Sequence, residues 1–161
     1  MFGLFKKKKP EPVEAIPDHA TFYIADPSLL GSKVLDTVPG ILSYEGTSDE
    51  TGNATGLVLR LKAGEVLMSF MPPQMIEEHL AGMSGYAQQA VRDKERLPYV
   101  LHRISQVRFV VGCVIPQGFD DKGTMIETLV HLNGALNGLF FLGDSLFDHD
   151  AQPIAGSACD G

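Results

Sequence analysis

The chain has 161 residues, 44% hydrophobic and 20% charged, with two cysteines. That composition fits a single globular domain and excludes a wholly disordered chain, a collagen-like fibre and a disulfide scaffold. The formal charge is −7, and setting aside the run Lys6–Lys9 leaves nine bases against twenty acids, a net of −11. A body that acidic repels phosphate backbones, so no nucleic-acid partner is expected.

Residues 1–18 read as a tail. Pro10, Pro12 and Pro17 alternate with Glu11, Glu14 and Asp18, a spacing that leaves no room for a useful helix. Phe2, Leu4 and Phe5 precede Lys6, Lys7, Lys8 and Lys9, the reverse of a secretory signal, so a cytoplasmic chain is expected. The apolar tip and the lysines, each contributing about 1 kcal/mol at an anionic surface, fit weak peripheral membrane contact. The plainer alternative is a solvated, flexible terminus that keeps the chain soluble. No apolar run approaches the roughly eighteen residues of a membrane span.

The folded part is expected over residues 19–156, with 157–161 frayed. Thr21–Ile24 is β-rich and opens it as a strand. Asp26-Pro27 predicts a capped short helix reaching about Asp36. Three strands follow, over Ile41–Thr47, Gly56–Lys62 and Glu65–Met71. In Leu57-Val58-Leu59-Arg60-Leu61-Lys62 the odd positions are all leucine, the mark of a half-buried strand with Arg60 and Lys62 on the wet face. An antiparallel meander is the simplest arrangement.

Met71-Pro72-Pro73 ends that segment and opens a helix with an apolar stripe of Met75, Ile76, His79, Leu80 and Met83. Gly82 and Gly85 predict a kink or break before Tyr86–Glu95. Further helix is expected within Leu97–Ile104. Val107–Ile115, the most apolar run, predicts a central strand covered on both faces, stopped at Pro116-Gln117-Gly118. A helix carrying Met125, Ile126, Leu129, Val130, Leu132 and Leu136 follows, with Gly138 expected to take its left-handed cap. Leu139–Leu142 is the last strong strand, with a turn at Phe147–Ala151 and weak pairing at Pro153–Ala155. The order predicts an α+β fold: a mixed, largely antiparallel sheet with helices mainly on one face.

A strand running into Met71-Pro72-Pro73, a helix, His102 ahead of the Val107–Val114 strand, a long helix and a strand running into Asp144-Ser145 together resemble an uncharacterised bacterial domain family of unknown function. The resemblance covers about residues 56–155. It implies an α+β domain and no chemistry, and this chain lacks the tryptophan that similar sequences show after the Met-Pro element.

Candidate sites are sparse. Asp148, His149 and Asp150 offer oxygen and imidazole ligands for a metal if a turn gathers them, although the segment lacks the glycine and closing glutamate of a calcium loop. The plain alternative is an Asp-rich turn whose carboxylates accept backbone N–H bonds. Glu127 and His131 stand at i and i+4 on one helix, the geometry of a general base with an orienting carboxylate and equally of an exposed helix pair. Cys113, in an apolar strand, should be an inert core thiol. No phosphate-cradling glycine loop or nucleophile elbow is present, so no cofactor is expected. The leading expectation is a non-enzymatic domain acting through protein contacts. A homodimer is expected because Leu139–Leu142 needs cover on both faces. The alternative is a hydrolase drawing on the Asp/His cluster of residues 144–150 with His131.

Overall fold

A computed structural model describes residues 19–62, 64–115 and 122–160, with the Lys122 side chain left out. The expectations for the tail over 1–18 and for the Pro116–Gly118 stop lie outside the described residues. The first strand, β1, spans His19–Ile24. Asp26 then caps a 3-10 turn at Pro27–Leu29, accepting from the Ser28 amide at 3.1 Å. The expected single helix divides at Gly31, whose extended backbone starts a separate helical turn, α1, at Ser32–Leu35. Glycine has the lowest helix propensity of any residue except proline, and the break falls there.

The meander forms as expected: β2 at Ile41–Ser48, β3 at Ala54–Leu61 and β4 at Gly64–Phe70. Helix α2 spans Pro73–Ala90 and α3 spans Leu97–Ser105. The predicted kink is absent, because α2 runs unbroken through Gly82 and Gly85. A Cβ at either glycine would meet nothing within 4 Å, so both lie on the open side. The opposite side is held by Met83 and Ala87, with Val91 just beyond the helix, all buried. Each glycine costs about 1 kcal/mol relative to alanine, which this tertiary burial outweighs. Met75, expected in the buried stripe, is 53% exposed.

Strand β5 covers Phe109–Val114 and is central, between β4 and β1. Helix α4 spans Lys122–Ala135. Its end corrects the expectation for Gly138. Asn137, at φ 52°, takes the left-handed position, and the Gly138 amide bonds back to the Asn133 carbonyl at 3.0 Å. Glycine is needed at 138 for space, since a Cβ would come 2.8 Å from Asn133 Oδ1 and 2.9 Å from the Tyr23 carbonyl.

Strand β6, Leu139–Leu142, turns through Gly143-Asp144 into a strand the sequence reading missed, β7 at Ser145–Phe147. Strand β8 is Pro153–Ala155. The C-terminus expected to fray forms a 3-10 turn at Ser157–Asp160. Arg92 grips the Asp160 carboxylate with both Nε and Nη2, at 2.8 and 3.0 Å, and the Ser157 hydroxyl donates to Asp144 at 2.7 Å.

The eight strands form one open sheet in the order β2-β3-β4-β5-β1-β6-β7-β8, with every pairing antiparallel. The fold is α+β. Side chains of β1 alternate between two cores. Ala20, Phe22 and Ile24 join one core with Met125, Leu129, Leu132 and Leu136 of α4, while Tyr23 joins the other with Met83, Ala87, Val100 and Ile104 of α2 and α3. The two helices α2 and α3 thus share one face, and α4 closes the opposite one. Full burial of each α4 anchor contributes roughly 2 kcal/mol. Among the described residues no helix is long and apolar enough to cross a membrane.

Candidate interaction surface

The register assigns every strand residue to a face. Val58 pairs with Leu67, Leu67 with Val114 and Val114 with His19, so these four form a row across β3, β4, β5 and β1. Strand alternation puts that row on the α2/α3 side, since Leu59, Val66, Met68 and Cys113 point into the core beneath α4. Yet α2 and α3 pack near Tyr23, Val110, Leu139, Leu146 and Ala155, toward the β8 end of the sheet. Among the described residues, no helix packs over the β2–β5 end of that face.

The contrast is visible within single strands. On β4, Val66 and Met68 are 0% and 3% exposed while Leu67 between them is 46% exposed. Val114 is 41% exposed, one residue after fully buried Cys113. The next row on this face runs through Gly56, Ser69, Gly112 and Thr21, small residues that form a low floor beside the apolar ridge. At the rim, Arg60 lies 3.0 Å from Glu65 and 3.7 Å from Glu45. These exposed pairs add little stability and leave that end of the ridge with one net negative charge.

The free edge at β2 is differently built. Its pairing to β3 shifts register between Ile41 and Ser43 and again between Thr47 and Ser48, irregularities of the kind that discourage edge-to-edge pairing. The sheet therefore offers its face rather than its edge. No family model, curated protein or solved structure matches this chain. The resemblance over residues 56–155 accordingly rests on its motifs alone, and the functional reading rests on the geometry.

The residues singled out for chemistry are placed as follows. Asp148 is buried, 3% exposed, at the start of the turn from β7 to β8. Its carboxylate accepts from the Tyr99 hydroxyl at 2.6 Å, the Arg103 guanidinium at 2.6 Å and the His149 amide at 2.8 Å. Burial pushes its pKa up, but the Tyr99 and His149 hydrogen bonds and the Arg103 charge together hold it below the ordinary carboxylate range. The Tyr99 hydroxyl is raised by burial and by that same carboxylate. His149 Nδ1 lies 3.1 Å from Asp148 and 3.2 Å from Arg103, while Asp150 caps the Gln152 amide at 3.1 Å. The segment is an Asp-rich turn closed by an internal cation. Among the described residues, no group of three or more histidine, cysteine, aspartate or glutamate side chains is arranged to hold a metal.

Glu127 and His131 are both exposed on α4, and among the described residues no other candidate side chain is gathered with them. Cys113 is 1% exposed, and burial pushes its thiol up to about 12. Phe2, Leu4, Phe5 and Lys6–Lys9 lie outside the described residues. The bare face was missed in the sequence although its signal was there: Val58, Leu67 and Val114 each hold an apolar side chain in the outward phase of an alternating strand.

Proposed function

We propose that this domain is a non-enzymatic protein-interaction module whose contact surface is the bare β2–β5 end of the α2/α3 face. The observation that carries the reading is the Val58–Leu67–Val114 ridge, in which Leu67 and Val114 are nearly half-exposed and Val58 partly buried, beside a helix layer that stops short of it. Covering Leu67 and Val114 would recover about 1 kcal/mol each, half of what full burial contributes. A second copy of the chain is the partner we assign, packed face to face about a twofold axis so that the ridge meets its own equivalent. A cytoplasmic setting belongs to the same reading, supported by two cysteines that stay free.

Light scattering across the micromolar range tests it. A mass near twice the 17.4 kDa chain, returning to one chain in Leu67→Asp, is expected. Leu67 lies outside both cores, so the variant should fold. A single-chain mass for the unsubstituted protein across that range would refute self-association. Unchanged mass in Leu67→Asp would show that a dimer forms through another surface.

A further inference from the structure

We propose that Met71, Met75 and His79 bind a single Cu(I) ion at the N-terminal end of α2. The proposal does not depend on the interaction reading. A cavity of about 270 Å³ opens there, lined by Met71, Met75, Glu78 and His79. Two methionines and a histidine lining one space offer a soft, neutral donor set, which selects Cu(I) over the hard or borderline divalent ions. Zinc prefers thiolate, imidazole or carboxylate, and thioether is a poor substitute.

The backbone arranges the three donors. Met75 and His79 stand one helical turn apart on α2, so they share a face. Met71 precedes the helix, and its amide is tied to the Val110 carbonyl of β5 at 2.9 Å. Met75 is the exception of the apolar stripe: it is 53% exposed while Met83 of the same helix is buried.

His79 is held in place by Tyr23. Its Nε2 lies 2.9 Å from the hydroxyl of Tyr23, and the two rings stack at 5.6 Å with 16° between their planes. Tyr23 is buried in the sheet and burial holds its phenol neutral. When Nε2–H donates to the phenol oxygen, Nδ1 carries the free lone pair, the arrangement by which a neighbouring group fixes the tautomer of a ligating histidine. Nδ1 makes no hydrogen bond among the described residues. Glu78, exposed at the rim, supplies the negative charge that balances the cation.

The test uses the full chain carrying Cys159→Ser, because Cys159 is accessible and thiolates also take Cu(I). Cu(I) is titrated anaerobically against bicinchoninate while NMR follows the methionine ε-methyl groups and the histidine rings. The expected result is one Cu(I) per chain, with shifts confined to two of the six methionines and to His79. Met75→Leu keeps volume and helix propensity and removes only the sulfur, and His79→Gln removes the imidazole. Each should weaken binding by about tenfold or more. Failure to take Cu(I) from the competitor would overturn the proposal. So would binding that Met75→Leu and His79→Gln leave unchanged, or equal methyl shifts with Zn²⁺.

Discussion

Arg103→Met isolates the most sheltered ion pair among the described residues. Arg103 Nη1 meets Asp148 at 2.6 Å and Nη2 donates to the Asn137 carbonyl at 3.0 Å, so one side chain ties α3 to the β7–β8 turn and to the end of α4. The pair is sheltered, with side-chain exposures of 15% for Arg103 and 4% for Asp148. Removing one partner of a buried pair strands the other charge and costs about 3–5 kcal/mol. Tyr99 and the His149 amide still serve the carboxylate, which places this case near 3 kcal/mol. At this chain length that lowers the melting temperature by roughly 6–12 °C. The pH dependence has a definite sign. In the unsubstituted protein the Asp148 carboxyl is held below its ordinary value, so its stabilisation is present above about pH 4 and is lost as pH falls through the folded pKa. In Arg103→Met the guanidinium charge is gone and the carboxyl rises relative to the unsubstituted protein, so acid protonates the variant's carboxyl first and relieves the stranded charge. Urea denaturation at about pH 7 and about pH 4.5 should therefore show the difference between the two proteins shrinking in acid. Asp148→Asn added to Arg103→Met should recover part of the loss. A cost under about 1 kcal/mol, the range of a surface pair, would refute the reasoning, as would a difference that ignores pH.

The other expectations concern backbone and core. Gly82→Ala and Gly85→Ala, on the open side of α2, should each stabilise by about 0.5–1 kcal/mol in chemical denaturation, and a loss would show that the helix needs its glycines. Gly138→Ala forces a methyl against Asn133 and the Tyr23 carbonyl and should cost about 1–3 kcal/mol, with neutral behaviour contradicting the close approach. Iodoacetamide at neutral pH should label Cys159 and spare Cys113 in the native protein, as read by mass spectrometry, and Cys113→Ala should cost about 1 kcal/mol.

Much of the architecture was legible in local pattern. The odd leucines of β3 set its core face before any neighbour was known, and the structure buries Leu59 and Leu61 under α4. The apolar length of residues 107–115 placed β5 at the centre of the sheet. The misses have local causes. Gly82 and Gly85 break a helix only if nothing else holds it, and Met83, Ala87 and Val91 hold this one from positions distant in sequence to their partners. Strand β7 was absorbed into an acidic turn because Asp144 and Asp148 bracket it. Gly143-Asp144 between two apolar runs is itself a two-residue hairpin signal. Gly138 was assigned a cap that Asn137 supplies, because the space demanded at 138 comes from Tyr23 on another strand.

Sites demanded more than local pattern could supply. Arg103 and Asp148 are 45 residues apart, and nothing in either neighbourhood marks the other as its partner. Asp148 was therefore open to a metal reading until its counter-charge was located. The bare face has the same origin in reverse. Val58, Leu67 and Val114 are three unremarkable outward residues until antiparallel register sets them side by side. A single exposed leucine needs no explanation on a protein surface, whereas three adjacent apolar side chains on a sheet half-covered by helices call for an occupant. Helices α2 and α3 cannot supply it, because Tyr23, Val110 and Leu139 fix them over the other half of the sheet. The same anchoring leaves Met75 at the helix margin. Among the described residues α4 packs beneath the sheet, while α2 and α3 cover only the β8 end of the opposite face, and both the ridge and Met75 lie where that cover ends.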